Sequence, residues 1–184
     1  MIMFTIRPAT LADAEALLAI YTPYVENTAV SLELTPPTLA EFISRMEARI
    51  GTYPYLVLEE NGEILGYAYA GRFHARAAYD LSAEATIYLR TDARGKGYGR
   101  ALYAALEDEL KKRNVQNLYA CIAYAAPEDE HLQNDSYRFH TAMGYIEVGH
   151  FHQCAYKFSR WFDMVWMEKF LGEHEETPKE FIGF

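Results

Sequence analysis

Glycines at three alternate positions, Gly95, Gly97 and Gly99, separate a strand-like run from a helix-like run, and they constrain the chain more than any other feature. The run before them, Glu84-Ala85-Thr86-Ile87-Tyr88-Leu89, reads as a strand. The loop Arg90 to Gly99 follows, and then Arg100 to Arg113, where Leu102, Leu106 and Leu110 recur at helical spacing. Alternate glycines let a backbone approach a ligand closely. The opening turn of a helix adds N–H groups without intrahelical partners and the positive end of its dipole. Such a junction is a seat for a phosphate-bearing ligand. Two other phosphate motifs do not fit. No Gly-x-x-x-x-Gly-Lys-Ser/Thr run occurs, and Arg100 stands where a dinucleotide fingerprint calls for its third glycine.

A formal charge of −9 argues against a nucleic-acid partner, because neutralising a phosphate backbone takes clustered Lys and Arg. An anion must therefore be held locally, by Arg94, Lys96, Arg100 and backbone amides. The hydrophobic fraction of 51% and charged fraction of 23% over 184 residues predict one folded domain over residues 1–171 and an acidic tail over 172–184. Two cysteines, Cys121 and Cys154, supply neither a disulfide framework nor a four-cysteine zinc site. The opening Met1 to Arg7 is too short and too soon charged for a signal peptide, and no apolar run reaches membrane-spanning length, so a cytoplasmic protein is expected.

Phe4 to Arg7 alternates as a first strand (β1). Thr10 is placed to cap a helix carrying Leu11, Ala14, Leu17, Leu18 and Tyr21 (α1). After a loop with an extended piece around Val30 to Leu34, Thr38 and Glu41 form a capping box. It opens a helix with the stripe Leu39, Phe42, Ile43, Met46, Ile50 (α2). Tyr55 to Glu60 (β2) and Glu63 to Gly71 (β3) flank the hairpin signal Asn61-Gly62. Glu84 to Leu89 is β4 and Arg100 to Arg113 is α3. Leu118 to Tyr124 (β5), Ser136 to Met143 with Ser136 as its cap (α4), Tyr145 to His152 (β6) and Met164 to Phe170 (β7) complete the chain. A turn or bulge is expected over Lys157 to Asp163. This order is neither alternating βαβ nor all-β; it predicts an α/β chain of the α+β kind, a mixed sheet with helices on both faces.

With Arg94, Gly97 and Gly99 matching Gln/Arg-x-x-Gly-x-Gly/Ala after the fourth strand, the chain resembles the GNAT superfamily of acyl-CoA N-acyltransferases. Within it, the chain looks like the phosphinothricin acetyltransferase group. The shared pieces are Glu84 to Leu89, the run Ser136-Tyr137-Arg138-Phe139-His140 leading to Ala142-Met143-Gly144-Tyr145, and Lys157 with Trp161 and Asp163. The resemblance implies the GNAT-type order β1-α1-α2-β2-β3-β4-α3-β5-α4-β6-β7 and acetyl-CoA as cosubstrate. Its pyrophosphate would lie on Arg94, Gly95, Lys96, Gly97, Tyr98, Gly99 and Arg100. Its pantetheine arm would pair with Ile87, Tyr88 and Leu89, in a splay of strands four and five. Ser136 would touch the cofactor. The family's Asn usually stands three residues before this Ser; here Gln133 does, and Asn134 is one step off.

Acetyl transfer needs a deprotonated amine, a polarised thioester, a stabilised oxyanion and a protonated leaving thiolate. The resemblance makes Glu84 the general base, acting directly or through water, and places His140 where a proton donor to the thiolate stands. Arg72, His74 and Arg76 are candidates for an acceptor carboxylate. The expected acceptor is a small primary amine, an amino acid or an analogue such as phosphinothricin or methionine sulfoximine. A polyamine, an antibiotic or a protein N-terminus stays open, as does a non-catalytic acyl-CoA-binding module. The group often dimerises, and the aromatic strand Trp161 to Phe170 is the expected contact. His150, His152 and Cys154 alternate on one strand face, but no fourth ligand stands at a matching spacing, so no metal is expected.

Overall fold

A computed structural model describes residues 4–183; Met1–Met3, part of the stretch examined for a leader, lie outside them. Seven β-strands and four α-helices occur among the described residues, in the expected order, and the architecture is mixed α/β. The chain packs as two compact units. One comprises the chain up to Ile20, Pro37–Leu118 and the chain from Phe170 onward; the other comprises Tyr21–Pro36 and Tyr119–Lys169. No helix is long and apolar enough to cross a membrane among the described residues.

In the first unit β1 (Phe4–Pro8), β2 (Tyr55–Glu60), β3 (Glu63–Arg72) and β4 (Ser82–Leu89) form consecutive antiparallel pairs. The β2–β3 turn takes Asn61 to φ 53° and Gly62 to φ 81°, the left-handed pair that Asn-Gly supplies at least cost. A bulge beyond Leu58 leaves Leu65 unpaired with β2, and its carbonyl accepts from the Arg90 N–H at 2.8 Å. Gly66 faces Leu89 so closely that a Cβ would meet Leu89 Cδ2 at 2.3 Å and the Tyr88 carbonyl oxygen at 2.9 Å. Only glycine allows this approach of β3 to β4.

α2 (Leu39–Glu47) opens as expected, the Glu41 N–H donating to Thr38 Oγ1 at 3.3 Å and the Thr38 N–H to Glu41 Oε2 at 2.7 Å. Its buried face is narrower than the apolar stripe: Phe42 and Met46 are buried, while Leu39 is 40% exposed. Thr10 introduces a single 3₁₀ turn, Leu11–Asp13, rather than α1 itself, which spans Ala14–Asn27. The Val30 to Leu34 piece forms bends and no strand.

α3 runs Tyr98–Lys111, two residues earlier than the spacing predicts, because Gly97 is its cap at φ 84° and Tyr98 already turns inward. Tyr98, Leu102, Tyr103, Leu106 and Leu110 are buried, and the helix packs on β2 and β3. At its end Asn114 takes φ 64°, and the Val115 N–H reaches back to the Leu110 carbonyl, a left-handed cap that satisfies a terminal acceptor. The acidic tail has no regular structure yet belongs to this unit. Phe181 lies 5.2 Å from the Tyr53 ring, and the Asn114 side chain donates to the Glu180 carbonyl at 2.7 Å.

In the second unit β5 (Asn117–Tyr124), β7 (Arg160–Phe170) and β6 (Ile146–Lys157) lie in that order. β6 and β7 are longer than expected and form one hairpin: the turn is only Phe158-Ser159, both residues at positive φ. That turn falls inside the stretch Lys157 to Asp163 where a turn or bulge is expected, and a further irregularity lies earlier, between Phe151 and Ala155, where Gln153 takes φ 48°. Phe158 can hold its left-handed backbone because its ring stacks on His131 at 4.0 Å. α4 spans Asp135–Ala142, so Asn134 occupies the cap position and Ser136 lies inside the first turn. Lys157 is buried and donates to the carbonyls of Val25, Thr28 and Ser31 at 2.6, 2.8 and 2.8 Å.

Candidate active site

The register of β4 against β3 puts Glu84 opposite Gly71 and Thr86 opposite Tyr69. Alternation sends Ala83 and Ala85 into the core and turns Glu84 and Thr86 to the other face. There they line a pocket of about 490 Å³ with Arg49, Tyr53, Tyr69 and Arg72, a volume suited to a small polar ligand. Burial raises the Glu84 pKa above the ordinary carboxylate value, and the charges of Arg49 and His74 pull it back. The carboxylate is therefore a stronger base than an exposed one, held beside the Arg49 guanidinium.

Arg49 lies over the Tyr69 ring at 5.1 Å and is tethered by a bond from Nη1 to the Arg45 carbonyl at 2.8 Å. Arg72 also lines the pocket, with its guanidinium 3.0 Å from Asp80. Of the three residues expected at an acceptor carboxylate, Arg72 reaches the pocket and His74 acts electrostatically on Glu84. Arg76 instead caps the short 3₁₀ turn Ala77–Tyr79 and is exposed. Sequence reasoning passed over Arg49 and Tyr53. Arg45 in α2 and Arg49 just past its end, four residues apart, were the available signal.

The glycine loop takes two of its three glycines through left-handed backbone, Gly95 at φ 74° and Gly97 at φ 84°; Gly99 is buried in the first turn of α3. A Cβ on Gly95 or Gly97 would meet nothing within 4 Å. The first helical hydrogen bond runs from the Ala101 N–H to the Gly97 carbonyl at 3.1 Å, so the amides of Tyr98, Gly99 and Arg100 have no carbonyl four residues back inside the helix. Arg94, Lys96 and Arg100 are exposed around them. Tyr98 is not a loop side chain: it is buried and donates to Glu60 at 3.1 Å. Ile87, Tyr88 and Leu89 are half-buried and pair with Ala68, Tyr67 and Gly66.

Asn134, Ser136 and His140 belong to the second unit. Asn134 is buried and braces Ala125 in both directions, accepting from its N–H at 3.0 Å and donating to its carbonyl at 2.9 Å. His140 is 3% exposed, with Nδ1 2.7 Å from the Ser136 carbonyl oxygen and Tyr145 edge-on at 5.2 Å. Burial pushes its pKa down to about 4, so the ring is neutral at neutral pH.

Cys154 does not join His150 and His152. The bulge at Gln153 breaks the alternation, and Asp163 from β7 is the residue that meets both imidazoles, at 2.8 and 3.3 Å. Only the cross-strand register brings Asp163 there.

Residues 6–166 match the acetyltransferase (GNAT) domain family. The chain is similar to phosphinothricin N-acetyltransferase of Streptomyces viridochromogenes, 35% identical over 90% of this chain and 87% of that one. It is also similar to an L-methionine sulfoximine/L-methionine sulfone acetyltransferase of Pseudomonas paraeruginosa, 33% identical over 95% and 98%. Among solved structures it is similar to a GNAT phosphinothricin acetyltransferase from Sinorhizobium meliloti in complex with AcCoA. That likeness has a TM-score of 0.86 and 36% identity, over 96% of this chain and 94% of that one. A glycine-capped helix after the fourth strand and a basic carboxylate on that strand thus accompany a match along most of the sequence, and the chain belongs to the GNAT acetyltransferase family as an N-acetyltransferase.

Proposed function

We propose that this enzyme moves an acetyl group from acetyl-CoA to the α-amine of a small amino acid or analogue such as phosphinothricin or methionine sulfoximine. The observation that carries the reading is the pocket in which Glu84, its pKa raised by burial, stands with Arg49 and Arg72. Two guanidinium groups suit an acceptor carboxylate and repel a polycation, so they favour an amino acid over a polyamine despite the net charge of −9. The names of the relatives support the same substrate class.

Glu84 takes a proton from the acceptor ammonium, directly or through water. The amine then attacks the thioester carbonyl and the C–N bond forms; as the C–S bond breaks, the nitrogen sheds its second proton to become an amide, and that proton neutralises the departing thiolate. The pyrophosphate rests on the amides from Gly95 to Arg100 with Arg94, Lys96 and Arg100 around it, and the pantetheine arm runs along Ile87, Tyr88 and Leu89. The resemblance gives Asn134, Ser136 and His140 a part in cofactor contact, and the neutral ring of His140 suits a polar role better than a stored proton. We place the enzyme in the cytoplasm, which fits two cysteines outside any disulfide among the described residues. We also infer a homodimer: Ile146, Val148, Tyr156, Trp161 and Phe170 are exposed on β6 and β7 and suit a second copy.

Acetyl transfer read by thiol release, with L-phosphinothricin, L-methionine sulfoximine, spermidine and an aminoglycoside as acceptors, tests the reading. Turnover on the amino acid analogues, falling about 10–100-fold in kcat/KM when the carboxylate is converted to an amide, is expected. Turnover on spermidine alone assigns a polyamine acceptor, and acetyl-CoA binding with no acetylation of any amine leaves only a binding module.

A further inference from the structure

We propose that His150, His152 and Asp163 form a binding site for a zinc-class divalent cation on the β6–β7 hairpin. The bulge at Gln153 gathers the three residues. Asp163 Oδ1 accepts from the Gln153 N–H at 2.7 Å, which fixes the carboxylate and leaves Oδ2 facing His150 Nε2 at 2.8 Å and His152 Nδ1 at 3.3 Å. All three candidate ligand atoms lie within 4.8 Å of one another. Tetrahedral zinc with bonds of about 2.0–2.1 Å holds its ligand atoms about 3.3 Å apart. The Asp163–His152 separation already matches, and the Asp163–His150 contact has to open by only about half an ångström.

The outer shell distinguishes this arrangement from a bulge held merely by hydrogen bonds. The other nitrogen of His150, Nδ1, lies 3.5 Å from Glu147 Oε1. Glu147 in turn hydrogen-bonds the Tyr137 hydroxyl. Without a cation, Nε2 donates to Asp163 Oδ2, so a cation entering the site displaces that proton. Glu147 then stands behind Nδ1 to hold the ring's remaining proton there, which is how metal-ligating histidines are oriented. Tyr124 meets the His150 ring edge-on at 5.3 Å and restrains its plane. Asp163 is largely buried, while the His152 side chain is 75% exposed, so a cation has a route in and a solvent-facing fourth position. Two imidazoles and a carboxylate suit zinc or cobalt better than calcium or magnesium, which prefer all-oxygen sets.

The test uses the full chain without an affinity tag, titrated with Zn²⁺ by calorimetry and with Co²⁺ by visible absorption, beside His152→Gln, Glu147→Gln and a double His150→Asn/His152→Gln variant. The expected result is a single zinc per chain, a rise in thermal midpoint with zinc, and a cobalt spectrum of four-coordinate intensity. His152→Gln, whose side chain is exposed, keeps the fold and weakens zinc by more than about tenfold, and Glu147→Gln weakens it by about tenfold through the outer shell. No zinc uptake by the parent chain overturns the proposal. So does uptake that the double variant retains in full, since the cation then sits on other histidines.

Discussion

His140 Nδ1 lies 2.7 Å from the carbonyl oxygen of Ser136, one turn back along α4. A carbonyl only accepts, so Nδ1 carries the proton and the buried ring is the neutral Nδ1–H tautomer. With its pKa pushed down to about 4 by burial, the imidazolium is a minor species at neutral pH. Burial makes this ring harder to protonate than an exposed imidazole.

Stability should therefore depend on pH through this ring. Its folded pKa of about 4 lies below the ordinary imidazole value of 6.5, so the unfolded chain binds more protons in the interval. Folding free energy is expected to fall by about 3 kcal/mol as pH drops from 6.5 to 4, and His140→Asn should flatten that window. Asp13, held down to about 2 by Arg7, acts only below the ordinary carboxylate range. Glu84, raised by burial, adds stability as pH falls through the same window, so the His140 contribution is read as the difference between the parent chain and His140→Asn. Denaturant melts at stepped pH check this.

Glu84→Gln should lower kcat by about 10²–10⁴ with little change in the KM for acetyl-CoA, the expected result of removing a general base. The acid limb of kcat/KM should lie above the ordinary carboxylate range, because burial raises the Glu84 pKa. Arg49 lowers that pKa, so Arg49→Met should move the limb to still higher pH while raising the acceptor KM. A pH profile of the two variants beside the parent enzyme decides. An unmoved limb in Arg49→Met would separate Glu84 from the titration.

Gly97→Ala places a side chain at φ 84° with no protein atom within 4 Å of its Cβ. The backbone strain should cost about 1–2 kcal/mol of stability. A Cβ intruding where a pyrophosphate is proposed should raise the KM for acetyl-CoA severalfold, with kcat at saturation nearly kept. Steady-state kinetics and a thermal melt read the two effects separately.

Lys157→Met removes an ammonium that satisfies three carbonyls around the end of α1, those of Val25, Thr28 and Ser31. Burial lowers the Lys157 pKa, with Glu33 partly restoring it. Stranding those acceptors should destabilise the protein by about 2–4 kcal/mol, seen as a lower denaturation midpoint at unchanged slope. If stability is kept, the ammonium is not needed there.

Local signals were legible because local geometry decides them. Asn61-Gly62 made its hairpin, Thr38 and Glu41 closed their capping box, and the alternate glycines ended a strand and opened a helix. These features depend on backbone freedom and on side chains within one turn, so the residues alone determined both the elements and the glycine-capped opening of α3. Packing decided the rest. α3 began at Tyr98 because that ring is buried with its hydroxyl on Glu60, and Gly99 thereby left the loop. Arg49 met Glu84 across the pocket through two elements distant in sequence. Asp163 displaced Cys154 beside the histidines because a bulge shifted the register of β6 against β7. His140 came to resist protonation through burial. Charge state and side-chain partnership are set by desolvation and by contacts across the chain, and for that reason the tertiary structure alone assigned them.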